Sequence, residues 1–110
     1  MKIFIAHSIG LREICDDYVD KLEKAGHSVY YPARDTQQFD IRKILCSNLD
    51  GLKWCDEVHC LWDGSSLGTI FDLGCAYALN KPVKIVYTKP KHWCRLIMEW
   101  EGQYLPLKMD

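Results

Sequence analysis

Short runs of nearly pure apolar residues, separated by stretches long enough for helices, constrain this chain more than any other feature. Residues 2–6 (Lys-Ile-Phe-Ile-Ala) and 83–87 (Val-Lys-Ile-Val-Tyr) are the clearest runs. Such a run suits a strand buried on both faces, as in a parallel sheet covered by helices. Residues 28–31 and 57–62 read as two further strands. Between the strands lie amphipathic patterns. Ile14, Tyr18, Val19 and Leu22 share one face within 11–25, Ile41, Ile44, Leu45, Leu49 and Leu52 mark a helix over 40–54, and a third helix spans 67–79. Gly26 stands where a helix C-cap belongs, and Asn80 at the exit of the third helix. Pro32 closes the second strand, and 33–38 read as a polar loop.

Strand–helix alternation repeated three times implies right-handed crossovers. The product is an α/β fold, a four- to five-stranded parallel sheet in the order 2-1-3-4 with helices on both faces. Residues 92–100 allow a further helix and 104–107 a short fifth strand. A length of 110 residues suits a single domain over 1–110.

Composition narrows the partners. Fourteen Lys+Arg against fifteen Asp+Glu give a net charge of −1, without the basic excess of a general nucleic-acid binder. No apolar run approaches the roughly 18 residues of a membrane span. The opening apolar run is too short for a signal-peptide core, so a cytoplasmic protein is expected. The six cysteines include no CxxC pair. They are expected to be free thiols packed as small hydrophobes. His59 with Cys55 and Cys60 lacks standard zinc spacing, and no metal or cofactor is expected.

In open parallel sheets the ligand lies beyond the carboxyl ends of the strands. That rule selects 7–12, 32–40, 63–72 and 88–94. The first loop offers His7, Ser8, Ile9, Gly10 and Arg12. A hydroxyl, a glycine and a helix N-terminus can hold an anion, although Ser8 also fits an N-cap and His7 a packed loop histidine. Neither GxGxxG nor a Walker loop is present. The third loop, Asp63-Gly64-Ser65-Ser66-Leu67-Gly68-Thr69, forms a second anion or sugar site. Asp72 follows near the start of a helix, where the macrodipole favours the ionised carboxylate. Such a carboxylate can attack a sugar carbon, or merely decorate the helix. Trp62 either stacks on a base or joins the core. Tyr30 and Tyr31 either line a pocket or pack across strands. Trp93, Cys94 and Trp100 suggest an apolar face, and Lys89, Lys91, His92 and Arg95 a basic patch.

The segment Ser66-Leu67-Gly68-Thr69-Ile70-Phe71-Asp72-Leu73-Gly74-Cys75-Ala76-Tyr77-Ala78-Leu79-Asn80-Lys81-Pro82-Val83 resembles the signature of the nucleoside 2-deoxyribosyltransferases and their nucleotide N-hydrolase relatives. Their pattern runs Gly-Thr-x-Phe-Glu-Leu-Gly-x-Ala-x-Ala, then a Lys-Pro turn into a strand. Asp50-Gly51-Leu52-Lys53-Trp54-Cys55-Asp56-Glu57-Val58 is similar to the family's helix exit into a strand, and Ile3-Phe4-Ile5-Ala6 with Ser8-Ile9 to its first strand and loop. The resemblance covers 1–87. It implies a flavodoxin-like three-layer sandwich and cleavage of a nucleoside N-glycosidic bond without a cofactor. It also implies a homodimer whose subunits lend residues to each other's sites. The family's nucleophilic Glu falls on Asp72, one methylene shorter, and an Asp that orients it falls on Asn48. The resemblance thus implies Asp72 as nucleophile, with Asn48 and Asp63 orienting it or the sugar. Ser8, Ile9, Gly10, Ser66, Gly68 and Trp62 would bind the substrate. The alternative is a nucleotide-binding protein without turnover. Phe4-Ile5-Ala6-His7-Ser8 followed by Arg34-Asp35 also resembles a TIR domain, which implies NAD cleavage at the same end of the sheet.

Overall fold

The computed structural model describes residues 1–88. Strand β1 (Lys2–His7) leads through a 3-10 turn (Ile9–Leu11) into α1 (Arg12–Lys24). Then follow β2 (Ser28–Tyr30), a short helix α2 (Pro32–Asp35), α3 (Ile41–Trp54), β3 (Glu57–Trp62), α4 (Leu67–Ala78) and β4 (Val83–Thr88). Every strand pairing is parallel and the order is β2-β1-β3-β4. The expected α/β architecture is therefore present. The suggested helix over 92–100 and strand over 104–107, the face of Trp93, Cys94 and Trp100, and the patch of Lys89, Lys91, His92 and Arg95 lie outside the described residues.

Strand alternation divides the core into two. Phe4, Ala6, Val58, Cys60, Trp62, Val83 and Ile85 pack with Leu52 and Cys55 at the end of α3 and with Leu73 and Ala76 of α4. Ile3, Ile5, Leu61 and Val86 face Leu11, Cys15, Val19 and Tyr31 on the other side. The central strands β1 and β3 have helices over both faces, which explains their continuous apolar runs. A β-bulge interrupts the β3–β4 register after Cys60, pairing Leu61 with Tyr87. No sequence signal marks it. Among the described residues no helix is long and apolar enough to cross a membrane, and the described cysteines are free thiols.

Local chemistry sets the ends of the elements. Gly26 takes φ of 94° after α1, and Asn80 takes φ of 55° after α4, as left-handed helix exits do. Asp40 caps α3, its carboxylate accepting the Lys43 amide at 3.3 Å. The segment 33–38 is not wholly a loop. Pro32 starts α2 instead of only ending β2, because its fixed φ suits the first helical position. The Asp35 carboxylate then closes the turn by accepting the Tyr31 amide at 2.8 Å.

Gly51, within α3, marks the tightest helix–sheet approach. A Cβ there would stand 2.9 Å from the Tyr30 ring and 3.1 Å from the Phe4 ring. These two rings are stacked, with centroids 5.6 Å apart. Gly51→Ala should lower stability by about 1–2 kcal/mol despite its better helix propensity, because overpacking outweighs the roughly 1 kcal/mol regained. The urea midpoint measures this, and an unchanged or raised midpoint contradicts the packing.

Candidate active site

A cleft of about 390 Å³ opens beyond the carboxyl end of the sheet, within the range of small-molecule sites. Four segments build it. His7, Ile9 and Arg12 come from the β1–α1 junction, and Pro32, Ala33 and Gln38 from the segment after β2. Ile44 and Asn48 come from α3, and Ser66, Gly68, Thr69 and Asp72 from the start of α4. The pairing of β1 with β3 brings the first and last segments together. The Ser8 amide donates to the Leu61 carbonyl at 3.2 Å, and the Ser8 hydroxyl accepts the Asp63 amide at 3.3 Å.

Ser66 is the N-cap of α4. Its hydroxyl oxygen accepts the Thr69 amide at 3.2 Å and the Thr69 hydroxyl at 2.9 Å. Its own proton remains for a ligand. Asp63 shapes the loop before it, accepting the Ser65 amide at 2.9 Å and hydroxyl at 3.1 Å and the Ser66 amide at 3.3 Å. Burial raises the Asp63 carboxyl pKa, but these donors and the Ser8 hydroxyl outweigh burial and hold it below its ordinary range.

Asp72 is different. It lines the cleft half-buried, with no hydrogen bond or ion pair to it among the described residues. Burial alone raises its carboxyl from the ordinary 3.8 to about 7. This corrects the expectation that the macrodipole holds it ionised. Asp72 lies beyond the first turn of α4, where the dipole has faded, and no donor compensates for the lost water. His7 sits across the cleft. Burial lowers its pKa, and Arg12 lowers it further against the opposing effects of the Ser8 carbonyl and Asp16. At neutral pH His7 is therefore uncharged. Arg12 supplies the cation at the mouth, its Nε donating to Asp16 at 2.9 Å while its guanidinium lies over the Tyr31 ring.

The model of the nucleoside 2-deoxyribosyltransferase family matches residues 5–107. This chain belongs to that family. No curated protein sequence matches it significantly. Two solved structures share its fold. A 2-deoxyribosyltransferase from Bacillus psychrosaccharolyticus aligns with a TM-score of 0.78 at 19% identity, covering 99% of this chain and 87% of that one. The CMP N-glycosidase of Clostridium botulinum aligns with a TM-score of 0.75 at 20% identity, covering 99% and 90%.

Within this nucleoside 2-deoxyribosyltransferase family member, the expected site residues separate into two groups. Asp72, Asn48, Ile9, Ser66 and Gly68 line the cleft. Ser8, Gly10 and Asp63 are not among the lining residues; the Ser8 and Asp63 loops are joined by a hydrogen bond. Ser8 occupies the N-cap position of the 3-10 turn, yet its side chain makes no capping bond. Trp62 takes the core alternative. It is 3% exposed among the α3–α4 packing and is not among the residues that line the cleft. Among the described residues no hydrogen bond joins Asn48 to Asp72; the Asn48 oxygen accepts from Thr36. Gln38, Thr69 and Ile44 also line the cleft, although a glutamine in a polar segment and two helix residues carry no distinctive sequence pattern. Among the described residues no three His, Cys, Asp or Glu side chains gather as a metal site.

The Asp72 environment has a thermodynamic consequence. Its folded-state pKa lies above the ordinary 3.8, so folding favours the protonated form. The stability this contributes is complete below about 3.8 and is lost as pH climbs through about 7. Asp72→Asn carries no charge to desolvate. Its melting temperature relative to wild type should rise between pH 4 and pH 8. The same difference at both pH values means the carboxyl is not desolvated.

Proposed function

We propose that this protein cleaves the bond between base and sugar in a nucleoside or nucleotide, acting as an N-glycosidase or deoxyribosyltransferase, with Asp72 as the nucleophile. The observation that carries the proposal is an unpaired carboxyl in the wall of a ligand-sized cleft, at the family's nucleophile position. An Asp72 carboxylate oxygen bonds to the anomeric carbon as the C–N bond breaks. The bonding pair leaves with the base, which takes a proton from solvent. Water or a second base then attacks the sugar ester and releases Asp72. An unpaired carboxylate suits this role, since no hydrogen bond must be broken before attack. Asn48 and the Ser66 hydroxyl orient the sugar or base, and the Gly68 backbone and Ile9 complete the wall. Ser8, Gly10 and Asp63 hold the loops in place. Arg12 at the mouth favours a 5′-phosphate. The family match over residues 5–107 supports one catalytic domain spanning 1–110.

A homodimer also belongs to this proposal. Leu67 and Phe71 on α4 are 84% and 53% exposed, and Ile41 on α3 is 75% exposed. A second copy would cover this apolar surface beside the cleft. A second functional reading is a nucleotide binder without turnover. It is favoured by Asp72 itself, whose side chain is one methylene shorter than the family's glutamate. A misplacement of about 1 Å can cost about 100-fold in rate.

Chromatography for free base, after incubation with nucleosides, nucleotides and NAD, separates the readings. Asp72→Asn should cut base release by roughly a thousandfold or more and leave ligand binding nearly intact. The wild-type kcat/KM should rise with pH through about 7, as the carboxyl ionises. Asp72→Glu should release base faster if reach is limiting. If wild type and Asp72→Glu both release none, the protein is a binder. If Asp72→Asn is as active as wild type, the nucleophile lies elsewhere.

A further inference from the structure

We propose that Thr36, with Tyr30 behind it, is a positioning residue that turns the Asn48 amide nitrogen into the cleft. Asn48 then donates to, and Gln38 accepts from, the edge of a heterocyclic base. The inference rests on the nucleoside reading above and extends it to how the base is held.

The two amides are fixed by different partners. Gln38 Nε2 donates to the Thr36 carbonyl at 2.8 Å and to the Pro32 carbonyl at 3.3 Å. Carbonyl oxygens only accept, so this amide cannot be reversed. Both its protons are used, and Oε1 is left for a ligand. Asn48 is set by a relay of hydroxyls. The Thr36 hydroxyl donates to Asn48 Oδ1 at 2.9 Å. A hydroxyl has a single proton, so the Tyr30 hydroxyl bonded to Thr36 Oγ1 must be the donor in that pair. Thr36 is 6% exposed, which leaves little room for water to replace either bond. The Tyr30 ring is itself held by stacking on Phe4. The relay therefore starts from a rigid point of the core and ends at the cleft wall. With Oδ1 turned toward Thr36, the NH2 end of the Asn48 amide is the end left to meet a ligand.

The wall thus presents one donor and one acceptor, with apolar Pro32, Ala33 and Ile44 in the same cleft. A flat heteroaromatic ring whose edge sets an acceptor beside a donor matches this surface, as the edges of nucleobases do. A bare sugar phosphate offers no such edge. An aspartate at 48 would present an acceptor where this chain presents a donor.

The test is equilibrium binding to the full chain carrying Asp72→Asn, which prevents turnover. The probes are the 5′-monophosphates of cytidine, uridine, adenosine and guanosine, with ribose 5-phosphate as the baseless control. Thr36→Val keeps the shape and removes the hydroxyl. It should weaken the best-binding nucleotide about tenfold, the order expected for a misdirected hydrogen bond. Thr36→Ser should restore that affinity, and ribose 5-phosphate should bind the parent and both variants equally. Asn48→Asp should also weaken the nucleotide, and it carries the test should Thr36→Val fail to fold. Nucleotide binding unchanged in Thr36→Val or in Asn48→Asp overturns the inference alone. So does an equal loss for ribose 5-phosphate, since the effect is then not on the base. If no nucleotide binds the parent, the nucleoside reading itself fails and this inference with it.

Discussion

The pairing of β1 with β3 is the constraint on which the rest of the structure depends. Five residue pairs, from Ile3 with Glu57 to His7 with Leu61, bring two segments far apart in sequence into one parallel ladder. Both strands are covered on both faces, so a slip of one residue would exchange the two cores and is strongly disfavoured. The register also decides where the strands end together. Beyond that point the Ser8 and Asp63 loops are joined by backbone and hydroxyl bonds, and α4 starts with Asp72 facing the opening they leave.

The polar groups around this opening are held in fixed directions by their partners. Among the described residues, no buried side-chain nitrogen or oxygen lacks a hydrogen-bond partner. Asp63 is held by several donors, Ser66 and Thr69 satisfy each other, and Thr36 serves two neighbours. Asp72, the one carboxyl among the described residues of the cleft, is half-buried, and burial alone shifts its pKa. Unpaired carboxyls of this kind cluster where charge is used, because a partner that stabilised the ground state would weaken attack.

Much of this was legible in the sequence. The apolar runs identified four parallel strands, since only a doubly covered strand needs apolar residues at successive positions. Gly26 and Asn80 marked helix exits through backbone chemistry that acts within a few residues. The Ser66–Val83 pattern identified the family and singled out Asp72. Less legible were features that depend on contacts across the sheet. Pro32 reads equally as a strand end and as a helix start. Trp62 reads equally as core and as stacking surface until its burial among α3 and α4 is seen. Gln38 carries no pattern, and only its carbonyl partners make it a directed acceptor.

The sequence by itself determined the fold class, the end of the sheet where a ligand belongs and the residue types gathered there. These follow from periodicity and local backbone preference, which act over one or two turns or strands. The tertiary structure decided which of those residues face the cleft and in what state. The loss of water around Asp72, the relay from Tyr30 through Thr36 to Asn48, and the withdrawal of Ser8, Asp63 and Trp62 from the wall arise from neighbours distant in sequence. Desolvation and hydrogen-bond direction are properties of three-dimensional surroundings, and no local pattern encodes them.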